Sequence, residues 1–137
     1  MPKRIGEERA RTEAYVWRTL LDSGATVTNG TDTPVEDMNT IPNFYAAVTR
    51  RMKNGEYFHP EQKMTRAEAL KAYTLANAFS AFEETEKGSL TPGKLADIDV
   101  LSVDIMRVSD DSIPAARVDY TILGGKVKFA RDVTAAR

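Results

Sequence analysis

The stretch Val27–Glu36, V-T-N-G-T-D-T-P-V-E, decides how the surrounding chain is interpreted. The residues Ala25–Thr28 just before and at its start are rich in β-branched side chains, which predicts a short buried strand. The strand is expected to end at Asn29 and Gly30, where the backbone can turn without a Cβ penalty. Asp32 follows this turn at once and is the first candidate functional residue.

Asp32 has two interpretations from the local pattern. It stands between Gly30 and Pro34, at the C-terminal end of the predicted strand, and barrel enzymes place catalytic groups at such strand ends. Aspartate also commonly caps a turn or the helix that follows. The local sequence leaves both interpretations open.

Composition and charge exclude several classes of protein. The chain has 137 residues, 42% of them hydrophobic and 28% charged, which is typical of one folded domain. The net charge of -1 gives no electrostatic argument for nucleic acid or an anionic membrane as a partner. We see no apolar run long enough for a bilayer and no signal-peptide pattern after Met1, so a cytoplasmic protein is expected.

Cysteine and histidine usage restricts the chemistry further. With no cysteine, disulfides, cysteine–zinc sites and thiol catalysis are excluded. The one histidine, His59, is not accompanied by a G-x-S-x-G nucleophile motif. One histidine with scattered carboxylates does not make a recognisable zinc site, which needs three or four ligands. His59 is interpreted as a surface loop residue, with a loop position beside a pocket as the alternative.

Helical periodicity dominates the first part of the chain. Apolar residues at helical spacing predict a helix over Glu8–Ser23, ended by Gly24, with Trp17 as a core anchor rather than a ligand platform. A second helix is predicted from Pro42, ended by Gly55. A connecting loop over residues 56–64 should follow.

The third helix has the clearest start signal. Thr65 and Glu68 form a capping box, in which each side chain accepts a hydrogen bond from the other residue's backbone N–H. Apolar residues at helical spacing extend the predicted helix as far as Phe82. Asn77 inside it is interpreted as an exposed or capping amide, with a bond to neighbouring backbone as the alternative.

From residue 88 onward the pattern changes to β-structure. Gly124 and Gly125 make a two-residue turn between alternating apolar residues, which predicts a hairpin. Arg131–Arg137 lacks an apolar pattern and is predicted to be a frayed tail. The turn, strand, polar loop and hairpin are predicted, in this order, at Thr91–Lys94, Ile98–Val103, Asp104–Ala115 and Val118–Phe129.

Five segments in a fixed order resemble the C-terminal part of the amidohydrolase superfamily, nearest to its amidohydrolase family 3 branch of metal-dependent hydrolases. The resemblance covers Gly6 to Phe129, and five motifs in order are far more specific than any one of them. The segments are G-T-D-T-P-V-E at Gly30–Glu36, A-A-V-T-R-R at Ala46–Arg51, P-E-Q-K-M-T-R-A-E-A-L-K-A-Y-T at Pro60–Thr74, K-G-S-L-T-P-G-K-L-A-D at Lys87–Asp97, and the final T-I-L-G-G-K-V hairpin.

The resemblance implies an α/β fold that is incomplete as an isolated chain. Residues 1–87 would form the end of a (β/α)8 TIM-type barrel, namely helices and the last barrel strand. Residues 88–130 would supply strands of a small β-sandwich, and 131–137 a tail. The resemblance also makes Asp32 a metal ligand and general base beside one or two divalent metals, usually zinc. Thr31 stands where the family usually has serine, which keeps the hydroxyl.

The implied activity is hydrolysis of C–N bonds, in a non-peptide amide or cyclic amide of a small-molecule substrate. The other metal ligands of the family lie upstream of these motifs, and a complete barrel takes ~250 residues. We therefore expect the isolated chain to be inactive and to hold no metal by itself. The alternatives are a non-catalytic remnant acting as an assembly or interaction module, and one half of a split enzyme.

Missing neighbours also bear on assembly. Strands and apolar helix faces without their partners favour self-association, so a homo-oligomer is predicted, or pairing with a missing N-terminal barrel portion. The sequence does not identify the substrate, because one fold hosts many substrates through its loops.

Overall fold

Short helices form the first part of the computed structural model, which describes residues 2–132. The chain divides between Tyr73 and Thr74 into two compact units, each described here by itself. The first unit contains a 3-10 turn and five helices: α1 Pro2–Ile5, α2 Glu7–Glu13, α3 Trp17–Asp22, α4 Ile41–Thr49, the 3-10 turn Pro60–Gln62, and α5 Arg66–Tyr73. The predicted division at residue 87 stays a prediction about the family's domains.

Helices α4 and α5 provide most of the core of the first unit. In α4 the buried residues recur at helical spacing, as in an amphipathic helix, whereas α5 buries only the small side chains of Ala69 and Ala72. Met64, the residue before the α5 capping box, is also buried, and its N–H donates to Ala47 O at 2.9 Å. The buried hydrophobic side chains of this unit are Ala10, Ala14, Ile41, Phe44, Ala47, Val48, Met64, Ala69 and Ala72.

The prediction of one helix over Glu8–Ser23 is wrong. Helix α2 ends at Glu13 and α3 begins at Trp17, because Tyr15 between them has a left-handed backbone with φ of 55°. The Tyr15 ring lies edge-on to Trp17 at 6.0 Å and to Phe58 at 6.3 Å between ring centroids. Aromatic packing of this kind stabilises by about 1 kcal/mol and offsets part of the cost of breaking the helix.

The prediction of a strand over Ala25–Thr28 is also wrong. The segment has no regular structure, and the one β-bridge recorded in the described part of this unit joins Arg51 to Tyr57. The residue after it, Asn29, donates its N–H to the helical carbonyl of Ala72 at 3.1 Å. A strand requires a neighbouring backbone to complete its hydrogen bonds, and β-branched composition cannot supply one.

The second helix begins as predicted but ends earlier. Pro42 lies in the first turn of α4, and the helix ends at Thr49 with Arg50 as its left-handed cap, at φ 61°. Gly55, predicted to end the helix, instead closes a separate turn in which its N–H donates to Met52 O at 2.9 Å.

The described part of the second unit, 74–132, contains one helix, one 3-10 turn and a three-stranded antiparallel sheet in which strands that follow one another in the chain are paired. The hairpin prediction is confirmed, and Gly124 and Gly125 both have positive φ, 56° and 75°, as a two-residue primed turn requires. The predicted turn at Thr91–Lys94 is also confirmed, with Lys94 N–H donating to Thr91 O at 3.2 Å. The elements are α6 Leu75–Ser80, β1 Ile98–Leu101, the 3-10 turn Asp110–Ala115, β2 Val118–Leu123 and β3 Lys126–Ala130.

Three further predictions need correction. The predicted third helix is two helices, with Thr74 outside helical geometry at φ −124° and ψ −91° between α5 and α6. The strand predicted over Ile98–Val103 ends at Leu101, two residues early, because the register between β1 and β2 shifts after Val100. Arg131 is not frayed, since its N–H donates to Asp119 O at 2.8 Å. The rest of the predicted tail, 133–137, lies outside the described residues.

Gly88 gives a packing reason for the interruption at Thr74. A Cβ on Gly88 would lie 2.9 Å from Leu75 Cα and 3.2 Å from Thr74 O, so the backbone of this glycine passes directly against the start of α6. Such an approach is open only to glycine. Within residues 2–132, no helix has the length and apolar character needed to span a bilayer.

Candidate functional site

The loop that carries Asp32 is attached to two helices just before the aspartate. Asn29 N–H donates to Ala72 O at 3.1 Å, at the end of α5. The side-chain amide of Asn43, in the first turn of α4, donates to Gly30 O at 3.2 Å. The chain therefore enters the Asp32 turn from a point that two helices hold.

Asp32 itself adopts a left-handed backbone conformation, with φ of 55°. Its carbonyl oxygen accepts a hydrogen bond from Val35 N–H at 2.8 Å, which closes a tight turn. The hydroxyls of Thr31 and Thr33, on either side, are 2.7 Å apart and share a hydrogen bond. Aspartate is one of the few non-glycine residues that occupy this conformation readily.

The capping interpretation of Asp32 does not match the structure. Helix α4 starts at Ile41, whose N–H donates to Asn39 Oδ1 at 3.1 Å. In the described part of the chain, the exposed Asp32 carboxylate takes part in no hydrogen bond or ion pair. Hydrogen bonding therefore fixes the backbone of Asp32, while its carboxylate has no partner among the described residues.

A divalent metal needs more ligands than Asp32 offers. Across residues 2–132, histidine, aspartate and glutamate side chains form no group of three that could hold a metal ion. Zinc sites use three or four protein ligands in most cases. Asp32 offers one exposed carboxylate, and the described residues bring no two further side chains of these types close enough to complete such a group.

His59 lies in the wall of an open cleft, which matches the alternative interpretation of this residue. Its side chain is 22% exposed, and its Nδ1 is 3.4 Å from Glu61 Oε1. The cleft has a volume of about 560 Å³ and is lined by Glu7, Glu8, Arg11, Tyr57, Phe58, His59 and Pro60. No hydrogen bond or ion pair among the described residues joins His59 to Asp32.

Arg50 is a buried cation that the sequence did not reveal. The residue is only 5% exposed, and its guanidinium lies 4.4 Å from the centre of the Trp17 ring and 5.4 Å from that of Phe58. Its Nε donates to Phe58 O at 2.9 Å, while its Nη2 is buried without a hydrogen-bond partner. Burial lowers the pKa of Arg50. No spacing pattern in the sequence pairs this arginine with Trp17.

Glu68 has a second role beyond the capping box. The box is confirmed, because Thr65 N–H donates to Glu68 Oε2 at 2.7 Å and Glu68 N–H donates to Thr65 Oγ1 at 3.2 Å. The same carboxylate receives two hydrogen bonds from the Arg18 guanidinium, one to each oxygen, which join α3 to α5. These bonds, with that from Thr65, lower the pKa of Glu68 to about 2.

Comparison with known proteins assigns the chain to a family. The family model described as "Amidohydrolase family" matches residues 1–129. "Protein LONG AFTER FAR-RED 3" of Arabidopsis thaliana is 35% identical over 125 residues, which are 90% of this chain and 21% of that protein. The "N-substituted formamide deformylase" of Arthrobacter pascens is 27% identical over 126 residues, 92% of this chain and 23% of that protein.

A solved structure supports the fold. An amidohydrolase from Thermotoga maritima MSB8 superposes with a TM-score of 0.65 at 21% sequence identity, over 85% of this chain and 26% of that one. The chain thus spans about a quarter or less of the curated relatives described above, at 21% and 23% of their lengths. With nearly its whole length matched by the family model, the chain belongs to the amidohydrolase family.

Proposed function

We propose that this chain supplies Asp32 to the active site of a metal-dependent amidohydrolase that hydrolyses a C–N bond in a non-peptide amide or cyclic amide. The observation that carries the proposal is the Asp32 carboxylate, exposed and without a protein partner among the described residues, on a turn that is closed by its own hydrogen bond. Membership of the amidohydrolase family supports a hydrolase-type function.

The chemistry assigned to Asp32 is proton transfer. A divalent metal, with zinc as our first choice, supplies an activated water when bound. The Asp32 carboxylate accepts a proton from the attacking water as the new C–O bond forms, and it then gives that proton to the leaving nitrogen as the C–N bond breaks. One carboxylate can perform both transfers because it returns to its starting state at the end of the cycle.

The test is complementation with a relative. We would delete from the Arthrobacter pascens deformylase the segment that matches this chain, then mix the remainder with this chain, zinc and N-substituted formamides. We expect hydrolysis and bound zinc in the mixture only. Asp32→Asn keeps the shape of the side chain but removes the base, and should lower kcat by roughly 100-fold or more.

The matched control is Asp37→Asn. The Asp37 Oδ1 accepts from Asn39 N–H at 2.8 Å, an interaction that an asparagine oxygen can replace. This variant should have the activity of the unaltered chain. Equal turnover by the Asp32→Asn and unaltered chains would contradict the proposed role, and zinc bound by the chain alone but lost in Asp32→Ala would reveal a complete site within these residues.

One observation favours a second candidate function, that of an assembly or interaction module. Several large apolar side chains are highly exposed, among them Val35 at 74%, Met38 at 79%, Phe82 at 91% and Leu90 at 78%. Exposed apolar side chains of this size become buried when another protein covers them, and that burial is favourable. We propose a homo-oligomer, with a separate N-terminal barrel portion as the alternative partner. The absence of nucleic acid and membrane partners and the cytoplasmic localisation stay predictions.

A further inference from the structure

We propose that Asn43 is a positioning residue for Asp32, acting through its hydrogen bond to the carbonyl of Gly30. The inference rests on the proposed function, because it concerns the direction in which the Asp32 carboxylate is presented. The Asn43 side-chain amide donates to Gly30 O at 3.2 Å, two residues before the aspartate. Asn43 acts through the backbone of Gly30 and does not touch the reacting groups, so it is a positioning residue and not a catalytic one.

Gly30 lies between Asn29, which is bonded to α5, and the Asp32 turn. Asn29 before it is bonded to α5 through Ala72 O, and the turn after it is closed by the bond from Val35 N–H to Asp32 O. A Cβ placed on Gly30 would meet no atom within 4 Å, so the space where a side chain would lie is open at this residue. Glycine has the widest range of backbone conformations, and the Asn43 bond restrains that range directly at the Gly30 carbonyl.

Helix α4 makes Asn43 a firm attachment point. Residues on both sides of it along the helix, Ile41 and Phe44, are buried in the core of the first unit. Phe44 N–H donates to Thr40 O at 2.9 Å, so the helical hydrogen bonds begin in this turn. The Gly30 carbonyl is thus bonded to a helix whose own position is set by its buried face.

Two substitutions separate positioning from folding. Asn43→Asp keeps the shape of the side chain and replaces its donor with a second acceptor, so the bond to Gly30 O is lost. A negative charge in the first turn of a helix is favourable, so α4 should not be weakened. Adding Gly30→Ala narrows the backbone freedom of that residue, which has open space and no left-handed φ.

The measurement is amide hydrogen exchange by NMR, together with thermal unfolding. In Asn43→Asp, we expect the Val35 N–H to exchange about threefold to tenfold faster, as the loss of one neutral hydrogen bond implies. The unfolding temperature and the exchange of Phe44 N–H should stay as in the unaltered chain. The Gly30→Ala, Asn43→Asp double variant should recover part of the protection at Val35. Unchanged exchange at Val35, or equal acceleration at Phe44, would overturn the proposal.

Kinetics in the complementation mixture give the second readout. Asn43→Asp should lower kcat while KM stays within about twofold, because the substrate is still bound but the base is less well directed. Faster exchange at Val35 with unchanged kcat would show that the bond orders the loop without positioning a catalytic group. If the mixture of unaltered proteins hydrolyses nothing, the proposed function fails, and the exchange experiment still decides whether Asn43 holds the Asp32 turn.

Discussion

At the scale of single residues, Arg50 has the most unusual environment in the described part of the chain. Its charge is buried against two aromatic rings, and it forms no ion pair with a described carboxylate. Cation–π contacts and the bond to Phe58 O offset part of the cost of desolvating the guanidinium. Lysine cannot reproduce this arrangement, because it lacks the planar group that stacks on a ring.

We predict that Arg50→Lys lowers the free energy of unfolding by about 2 kcal/mol through the loss of stacking and of one charged hydrogen bond. Arg51→Lys is the matched control, since the neighbouring arginine is exposed and the change should cost less than about 0.5 kcal/mol. Urea unfolding followed by the fluorescence of Trp17 would measure both. Equal stabilities of the two variants would refute the account of the Arg50 environment.

Glu68 makes the stability of the folded chain depend on pH in the acid range. Hydrogen bonds from Arg18, ahead of those from Thr65, depress the folded-state pKa of Glu68 from 4.5 to about 2. A carboxylate whose pKa is lower in the folded state stabilises that state fully when the pH is above the pKa of the unfolded state. For Glu68, this stabilisation is lost as the pH falls from 4.5 toward about 2. We predict that thermal stability decreases across that interval.

Glu68→Gln tests whether Glu68 causes this loss of stability, because a neutral amide removes both the charge and its titration. The variant should be less stable than the unaltered chain at neutral pH, and the difference between the two should shrink as the pH approaches 2. Glu13→Gln, at an exposed carboxylate that pairs with Arg9, serves as control. A constant difference between the Glu68 variant and the unaltered chain at every pH would rule out this origin.

At the scale of elements, features that depend on near neighbours in sequence were predictable. The Thr65–Glu68 capping box and the Gly124–Gly125 turn are each completed within four residues, so the residue types alone specify the geometry. Asp32 was predictable as a candidate, since the glycine and proline around it mark a turn. No sequence pattern predicts the hydrogen bond from Asn43 to Gly30, because it joins a side chain to a carbonyl thirteen positions away.

Features that depend on contacts between residues far apart in the sequence were not predicted, because no local pattern reports such contacts. The helix break at Tyr15 reflects packing against Phe58, which lies far along the sequence. The β-branched Ala25–Thr28 segment has strand composition but no strand partner among the described residues of its unit. Periodicity reports the preference of a segment, and it does not report which neighbour the fold provides.

We predict that Gly88→Ala destabilises the second unit by about 3 kcal/mol. The new Cβ would lie 2.8 Å from Ala78 Cβ and 2.9 Å from Leu75 Cα, and the backbone φ of Gly88 is +87°. Overpacking and left-handed backbone strain therefore both destabilise this variant. Gly93→Ala is the control, because its φ is +94° but no atom lies within 4 Å of the new Cβ. That variant should lose only about 1 kcal/mol. Similar unfolding midpoints for both variants would show that the close approach at Gly88 is unimportant.

At the scale of the whole molecule, the chain matches 23% of the length of its deformylase relative and has exposed apolar side chains in both compact units. We predict that its mean mass in solution rises with concentration, measured by light scattering after size-exclusion chromatography. Phe82→Ser removes the most exposed of the large apolar side chains of the described residues, at 91%, and should shift the distribution toward the monomer. A single monomeric mass for the unaltered chain at every concentration would exclude self-association.

The left-handed backbone at Asp32 also has a consequence for how this protein can drift in evolution. Few residue types tolerate that conformation, and asparagine and glycine are the best of them. Both are reached from an aspartate codon by one nucleotide change. If Asp32 is the base we propose, the mutations that the loop accepts most easily are those that abolish catalysis. Inactive descendants that fold normally are therefore the expected product of relaxed selection, and residue 32 is where a genome survey should look to separate working enzymes from pseudoenzymes.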